Sequence, residues 1–388
     1  MARLALGFAA RLRRGQLDIT LPDGRVLRCG GVEDGPSAAM TIHDYKFGWR
    51  FLRAGDIGIA ESYLRREWDT PNLTQFLYVF CVNHDLSGTM LADRPLTRFL
   101  QHVRHWFNRN TKRQAKRNIF AHYDIGNEFY SAWLDPTMTY SSALFEPDTR
   151  DLTAAQQNKY RRLAEAIDLQ PGHELLEIGC GWGGFAEYAA AHCGAKVVGL
   201  TISAEQRDFA RARIARAGLD DKVDIRFQDY RDERGLYDRI VSIEMIEAVG
   251  EEHWPTYFKA VHDRLKPGGT AAIQAITIDE AEFEGYKSGP DFIQRFIFPG
   301  GMLLTKEAMQ KQGDRAGLIL EKVETFGLSY ARTLRLWCER FLERWPMIAP
   351  LGYDEEFKRK WVYYLCYCEA GFTEGNIDVG IYQYRRPA

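Results

Sequence analysis

Residues 175–184, Leu175-Leu176-Glu177-Ile178-Gly179-Cys180-Gly181-Trp182-Gly183-Gly184, constrain this chain more than any other segment. An apolar strand runs into a glycine-rich turn, and a helix opens behind it. Glycines let the backbone approach a nucleotide closely, and the helix N-terminus lies beside it. The sequence that follows alternates strands with helices. Strands are expected at His173–Ile178, Lys196–Leu200, Val223–Phe227, Arg239–Ile243 and Thr270–Ile276, with helices at Phe185–His192, Ala204–Ala217 and Trp254–Arg264. That alternation implies a parallel α/β sheet. Lys266-Pro267-Gly268-Gly269 is expected as a turn before the fifth strand, and strands near Leu318–Thr325 and Ile377–Tyr384 as the closing edge.

The ends of these strands carry the chemistry. Glu177 stands just before the first glycine of the turn. A dinucleotide turn must leave room there for a pyrophosphate, whereas a carboxylate can accept from the amino group of a methionine moiety. This favours S-adenosylmethionine. The second strand points the same way. A nicotinamide site expects an acid about 20 residues on, and Thr201-Ile202-Ser203-Ala204-Glu205-Gln206 offers hydroxyls and an amide instead. These suit ribose contacts, and Ser203 suits a helix N-cap. After the third strand, Asp229 and Tyr230 offer an acceptor and a ring to adenine. After the fourth come two carboxylates, Glu244 and Glu247, in an otherwise apolar run. Acids at a strand's C-terminal end in an open α/β sheet face the crevice, and Glu247 is the one assigned a function.

The chain of 388 residues suggests two domains. Its hydrophobic content of 45% supports real cores, and its net charge of −2 selects no partner. Its seven Cys are odd in number and contain no C-x-x-C pair, so neither a metal site nor a disulfide framework is expected. No apolar run approaches the ~20 residues that span a bilayer. Residues 1–100 read as a small α+β domain: a strand-turn-strand around Pro22-Asp23-Gly24, then apolar residues at helical spacing around Tyr45–Leu52 and Leu73–Val82. Residues 101–120 read as a basic linker, in which Arg104, Arg109, Lys112, Arg113, Lys116 and Arg117 are mixed with Trp106 and Phe107. That mixture suits an anionic membrane surface or a solvated helix face, and spacing alone leaves both open. Nucleic acid is disfavoured because the domain is not basic overall. Residues 121–388 form the catalytic domain, in which 281–316 and 330–370 are helical, aromatic insertions suited to a lid.

Several motifs together resemble the cyclopropane-fatty-acid synthase family, which includes the mycolic acid cyclopropane synthases. They are His122–Tyr130, Leu134–Ala143, Glu177–Gly184, Gly199–Gln206, Asp238–Ile243 and Ile297–Gly301. The likeness is strong over residues 115–388, and Gly55-Asp56-Ile57-Gly58 extends it to the family's N-terminal lipid-binding domain. The resemblance implies a class I methyltransferase fold, a Rossmann-like sheet with helical lid insertions, binding S-adenosylmethionine. The cofactor set it implies is Tyr123, Tyr140, Ser141, Glu177, Gly179, Cys180, Gly181, Gly183, Thr201, Ser203, Gln206, Asp229 and Tyr230. It implies methylation of the double bond of unsaturated phospholipid acyl chains through a carbocation, at the inner, cytoplasmic face of a membrane. It also suggests a homodimer.

The family's base is a bound bicarbonate held by a Cys, a Glu, a His, the backbone of an Ile, and a Tyr. The corresponding residues here are Ser142, Glu247, Gln274, Ile276 and Tyr330, and the His that usually follows the Glu is Ala248. Ser and Gln still hydrogen-bond an anion, so a cyclopropane product stays open. Loss of the titratable His favours a divergent member giving methylated unsaturated chains, such as furan fatty acid precursors, or methyl-branched chains made with a partner redox enzyme. Methylation of a soluble small molecule is the alternative. A lipid-binding protein with a vestigial fold is disfavoured by the intact glycine turn.

Overall fold

The structure, a computed structural model, describes residues 7, 9, 11–83, 125–287 and 289–388. Tyr123 and the basic linker lie outside the described residues. Contacts gather the chain into two compact units.

One unit comprises Met1–Phe107, Glu282–Ile297 and Leu334–Asn376. Its sheet has the order β2-β1-β3-β4, formed by β1 (Arg14–Thr20), β2 (Val26–Gly30), β3 (Glu33–Ile42) and β4 (Trp68–Asp69). The β1–β2 hairpin turns at Pro22-Asp23-Gly24, where Gly24 takes the positive φ of +83° that the turn requires. Helices α1 (Lys46–Leu64) and α2 (Leu73–Cys81) follow. Trp68 is fully buried and donates from its indole N–H to Ser62 Oγ at 2.9 Å. The guanidinium of Arg359 lies 3.8 Å from the centre of the Tyr63 ring, which ties the later inserted segment to this core.

The other unit comprises Asn108–Ala281, Phe298–Thr333 and Ile377–Ala388. After α3 (Asn127–Trp133) and α4 (Leu152–Ala166), strands and helices alternate. They are β5 (Glu174–Ile178), α5 (Gly184–His192), β6 (Lys196–Thr201), α6 (Ala204–Arg216), β7 (Val223–Phe227), β8 (Tyr237–Ile243), α7 (Trp254–Arg264) and β9 (Leu265–Ile278). Later in the chain, most of α8 (Glu280–Lys287) and all of α9 (Phe292–Phe296) belong to the first unit, α10 (Lys306–Ala316) and β10 (Ile319–Thr325) to this one, α11 (Gly327–Ile348) is divided between them, α12 (Glu355–Glu374) belongs to the first and β11 (Ile377–Arg385) to this one. The seven-stranded sheet has the order β10-β11-β9-β8-β5-β6-β7. Strands β5 to β9 are parallel to one another; at one edge β11 pairs antiparallel with β9, and β10 pairs antiparallel with β11 and so runs with the parallel set. This is the α/β sheet expected from the sequence.

Leu175, Leu176, Ile240 and Val241 are fully buried, as central parallel strands covered on both faces must be. The strand order reverses between β5 and β8, so a crevice opens at their C-terminal ends. Ser242 Oγ stitches that point by donating to Ile178 O at 3.0 Å.

Two details differ from the sequence reading. The Lys266–Gly269 segment lies within β9 rather than before it. The partner of Tyr237 is Leu265 and that of Arg239 is Thr270, so the extra residues bulge where pairing shifts. Pro267, which has no N–H to give a ladder, is tolerated at such a bulge. Strand β3 is absent from the sequence reading because Gly35 and Pro36 resemble a loop; it pairs parallel with β1.

Gly199 in β6 is required by packing. A Cβ there would lie 2.8 Å from Ile225 Cδ1 and 3.1 Å from Cys180 Cβ. Gly199→Val should lower stability by about 1–3 kcal/mol, the usual cost of overpacking, seen as a lower midpoint in thermal unfolding. An unchanged midpoint would contradict this packing account.

Candidate active site

The turn after β5 is fixed to β6 by two hydrogen bonds, from Gly179 N and Cys180 N to Leu200 O at 3.0 and 2.9 Å. Gly179, Gly181 and Gly183 have φ of +85°, +52° and +78°, values that favour glycine. Gly183 also packs against α6, where an added Cβ would meet Ala210 Cβ at 3.0 Å. Glu177 is buried beneath the turn and its Oε2 has no hydrogen-bond partner among the described residues. Burial pushes its carboxyl up to about 8, opposed by the charge of Lys159. A buried, unpartnered acceptor beside a glycine turn fits the ammonium end of S-adenosylmethionine.

Around the turn, Ser203 caps α6 by accepting from Gln206 N at 3.3 Å, as the sequence suggests. Thr201 Oγ1 donates to Gln206 Oε1 at 3.0 Å. Asp229 is held by Arg231, whose Nε and terminal nitrogen lie 2.8 and 2.6 Å from its two oxygens. The Tyr230 ring sits edge-on to Tyr257, with centroids 5.7 Å apart. On the other side, the Tyr140 ring meets Trp133 edge-on at 5.8 Å. Ser141 Oγ accepts from Lys159 Nζ at 2.7 Å. Lys159 is fully buried, and burial pulls it down to about 7 against the opposing pull of Glu244, Asp135 and Glu177.

The end of β8 holds the second half of the site. Glu244 accepts three hydrogen bonds: from Ser142 N at 2.8 Å, from Gln274 Nε2 at 2.7 Å and from Tyr330 Oη at 2.7 Å. Glu247 Oε1 accepts from Ile276 N at 2.6 Å, while its Oε2 is buried with no partner among the described residues. Ser142 and Gln274 are fully buried, and Ser142 Oγ turns away to Ala143 O. The loop Ile297–Gly301 continues into a bond from Met302 N to Glu247 O at 2.8 Å. An added Cβ on Gly179 would touch Met245 Cγ at 2.9 Å, so the glycine turn and the β8 end are in contact.

All five sequence-predicted catalytic residues therefore lie at this strand end, but three of them gather on a residue that the sequence reading left without a role. Glu244, not Glu247, gathers Ser142, Gln274 and Tyr330. It also holds φ of +47°, a left-handed conformation that costs a non-glycine residue roughly 1–3 kcal/mol. Its carboxyl is raised by burial, against Lys159 and its three donors. Burial and then the neighbouring charge of Glu244 push Glu247 up to about 8. Two carboxylates so placed do not both ionise near neutrality. Glu244 has the donors to be the charged one and Glu247 holds the proton. Lys159 was also missed. The signal for Glu244 was present as a second acid in an apolar run.

A carboxyl raised in the folded state makes stability fall as pH climbs from its unfolded value, near 4.5, to its folded value. Glu247→Gln removes that loss. The variant should match the parent at pH 5 and melt a few degrees higher at pH 8, by thermal unfolding across that range. An equal difference at both pH values would contradict the shifted carboxyl.

Comparison with known proteins gives the family. Residues 110–382 match the family described as mycolic acid cyclopropane synthetase. The chain is 42% identical over 360 residues to tuberculostearic acid methyltransferase UfaA1 of Mycobacterium tuberculosis, covering 90% of this chain and 83% of that protein. It is 36% identical over 353 residues to cyclopropane-fatty-acyl-phospholipid synthase of Escherichia coli, covering 91% and 89%. The crystal structure of mycolic acid cyclopropane synthase CmaA1 complexed with SAH and CTAB superposes with a TM-score of 0.66 at 30% identity, covering 70% of this chain and 98% of that one. The chain belongs to the mycolic acid cyclopropane synthetase family and is an S-adenosylmethionine-dependent methyltransferase of the branch of lipid chemistry that makes cyclopropane and methyl-branched fatty acids.

Proposed function

We propose that this enzyme methylates the double bond of unsaturated fatty acyl chains of phospholipids, giving a cyclopropane or a methylated chain. The observation that carries the reading is the acid pair Glu244 and Glu247 beside the glycine turn. Methylation at O or N needs only the nucleophile's own proton removed. An alkene that gains a methyl group becomes a carbocation, and a secluded base must then take a proton from carbon. The relatives named for tuberculostearic acid and for cyclopropane-fatty-acyl-phospholipid support the substrate class.

In this reading, Glu177 accepts from the methionine amino group, and Gly179, Cys180, Gly181 and Gly183 line the methionine and ribose. Thr201, Ser203 and Gln206 serve the ribose, Asp229 and Tyr230 the adenine, and Tyr140 and Ser141 the remaining wall. The bound cofactor supplies an electrophilic methyl. Ser142, Gln274, Ile276 and Tyr330 hold the two carboxylates in place, and the burial of Ser142 and Gln274 keeps water from the cation. A saturated methyl branch would need a hydride from a separate redox enzyme. Substrate chains reside in a bilayer, so the enzyme works at an anionic membrane surface; no described helix is long and apolar enough to cross one.

The test is incubation with methyl-labelled S-adenosylmethionine and vesicles carrying saturated or mono-unsaturated chains, followed by mass spectrometry and proton NMR of the fatty acids. Label is expected in the unsaturated chains alone, and label in neither would overturn the reading. Glu177 makes a separate prediction. Its raised carboxyl must ionise to meet the ammonium group, so binding at pH 7 should release a proton, read as buffer-dependent heat in calorimetry. Glu177→Gln should abolish that dependence and weaken binding about tenfold or more, as expected for a lost charged hydrogen bond. Unchanged affinity would exclude the role.

A further inference from the structure

We propose that Glu244 is the base of the reaction, a carboxylate built into the chain where the family resemblance places a bound bicarbonate. This rests on the acyl-chain reading above and goes beyond it.

The bicarbonate set does not fit an exogenous anion here. Ser142 N, Gln274 Nε2 and Tyr330 Oη already donate to Glu244, at 2.7–2.8 Å. The backbone N–H of Ile276 is spent on Glu247 at 2.6 Å. Four donors of the residues that the resemblance reserves for bicarbonate, at positions 142, 274, 276 and 330, thus reach side-chain carboxylates instead, and the Ser142 hydroxyl is turned to Ala143 O. An added anion would also meet the charge of Glu244 in a buried site.

The backbone supports the same assignment. At φ of +47°, position 244 is suited to glycine, which adopts that conformation without strain. A glutamate held there keeps its strained backbone only because its surroundings fix it. What fixes it is the three-donor cradle, together with a bond from its own N–H to Gln274 O at 2.8 Å. Position 244 follows directly on β8, at the crevice where the sheet order reverses, and its neighbour Met245 touches the glycine turn.

The step balances without a further reactant. The π pair of the alkene forms the new carbon–carbon bond as the methyl's carbon–sulfur bond breaks, and that bond's electrons stay on sulfur. The other alkene carbon is left cationic. Glu244 takes a proton from carbon, and the freed C–H pair fills the cation. If the proton comes from the delivered methyl group, a three-membered ring closes. If it comes from the adjacent chain carbon, a double bond remains. The proton leaves Glu244 for solvent when product departs.

The experiment compares the parent enzyme with Glu244→Gly and Glu244→Gln in the labelled vesicle assay, in buffer stripped of carbon dioxide and then with sodium bicarbonate or formate added. The parent should turn over equally with and without bicarbonate. Both variants should bind S-adenosylmethionine as the parent does and lose about 100-fold or more in turnover, the scale of a general base. Formate or bicarbonate should restore part of the activity of Glu244→Gly, which has room for it, and not of Glu244→Gln. Carbon-13 NMR of labelled bicarbonate should show broadening with Glu244→Gly and none with the parent. A parent that needs or binds bicarbonate, or a Glu244→Gly variant that keeps its turnover in stripped buffer, would overturn the assignment while leaving the acyl-chain reading intact. A parent that labels no acyl chain would overturn that reading, and the assignment with it.

Discussion

Two acids share a buried site at the end of the central strand β8, and only one of them can be charged near neutral pH. Much of the site's construction follows from that constraint. Glu244 receives three donors and Glu247 one. The charge therefore settles on Glu244 and the proton on Glu247, whose carboxyl is pushed up to about 8. Removing a donor without removing the acid would leave a buried charge poorly satisfied, which is costly. The pair is thus a reason for Ser142, Gln274 and Tyr330 to be where they are, as much as the reverse.

The sheet explains why the pair meets the cofactor turn. Strand order reverses between β5 and β8, so their C-terminal ends splay apart into one crevice. The glycine turn leaves from one strand and the acids from the other. Lys159 joins the two halves: it bonds Ser141, and its charge acts on both Glu177 and Glu244. Three carboxyls, Glu177, Glu244 and Glu247, are raised by burial against Lys159, the one fully buried lysine among the described residues, which is itself pulled down. Such a site is poised to receive positive charge. In the proposed reaction a sulfonium with an ammonium group brings it, and a carbocation follows.

Much of this was legible in the residues. Continuous apolar runs gave the buried strands around Leu175 and Ile240, and Gly179–Gly184 gave the turn, because few other sequences tolerate three left-handed residues in five. Ser203 was recognisable as a cap from its place before a helix. Glu244 was not recognisable as the centre of the site, for two reasons. Its left-handed backbone is set by tertiary contacts and leaves no periodic signal, and its donors come from residues 142, 274 and 330, far apart in sequence. Position at the strand end drew the reading to Glu247 instead, and the family resemblance then gave it a role. Strand β3 was hidden by Gly35-Pro36, and the grouping of Glu282–Ile297 and Leu334–Asn376 with the N-terminal segment depends on long-range contacts that no local pattern records.

The most direct test of this account is the protonation state of the pair. Infrared difference spectra of the parent against Glu247→Gln, recorded at pH 7, isolate the carbonyl stretch of a protonated carboxylic acid. The parent is expected to show that band, the variant to lack it, and the band to fade as pH rises through about 8. A parent with no protonated acid at pH 7, both carboxylates ionised, would contradict it.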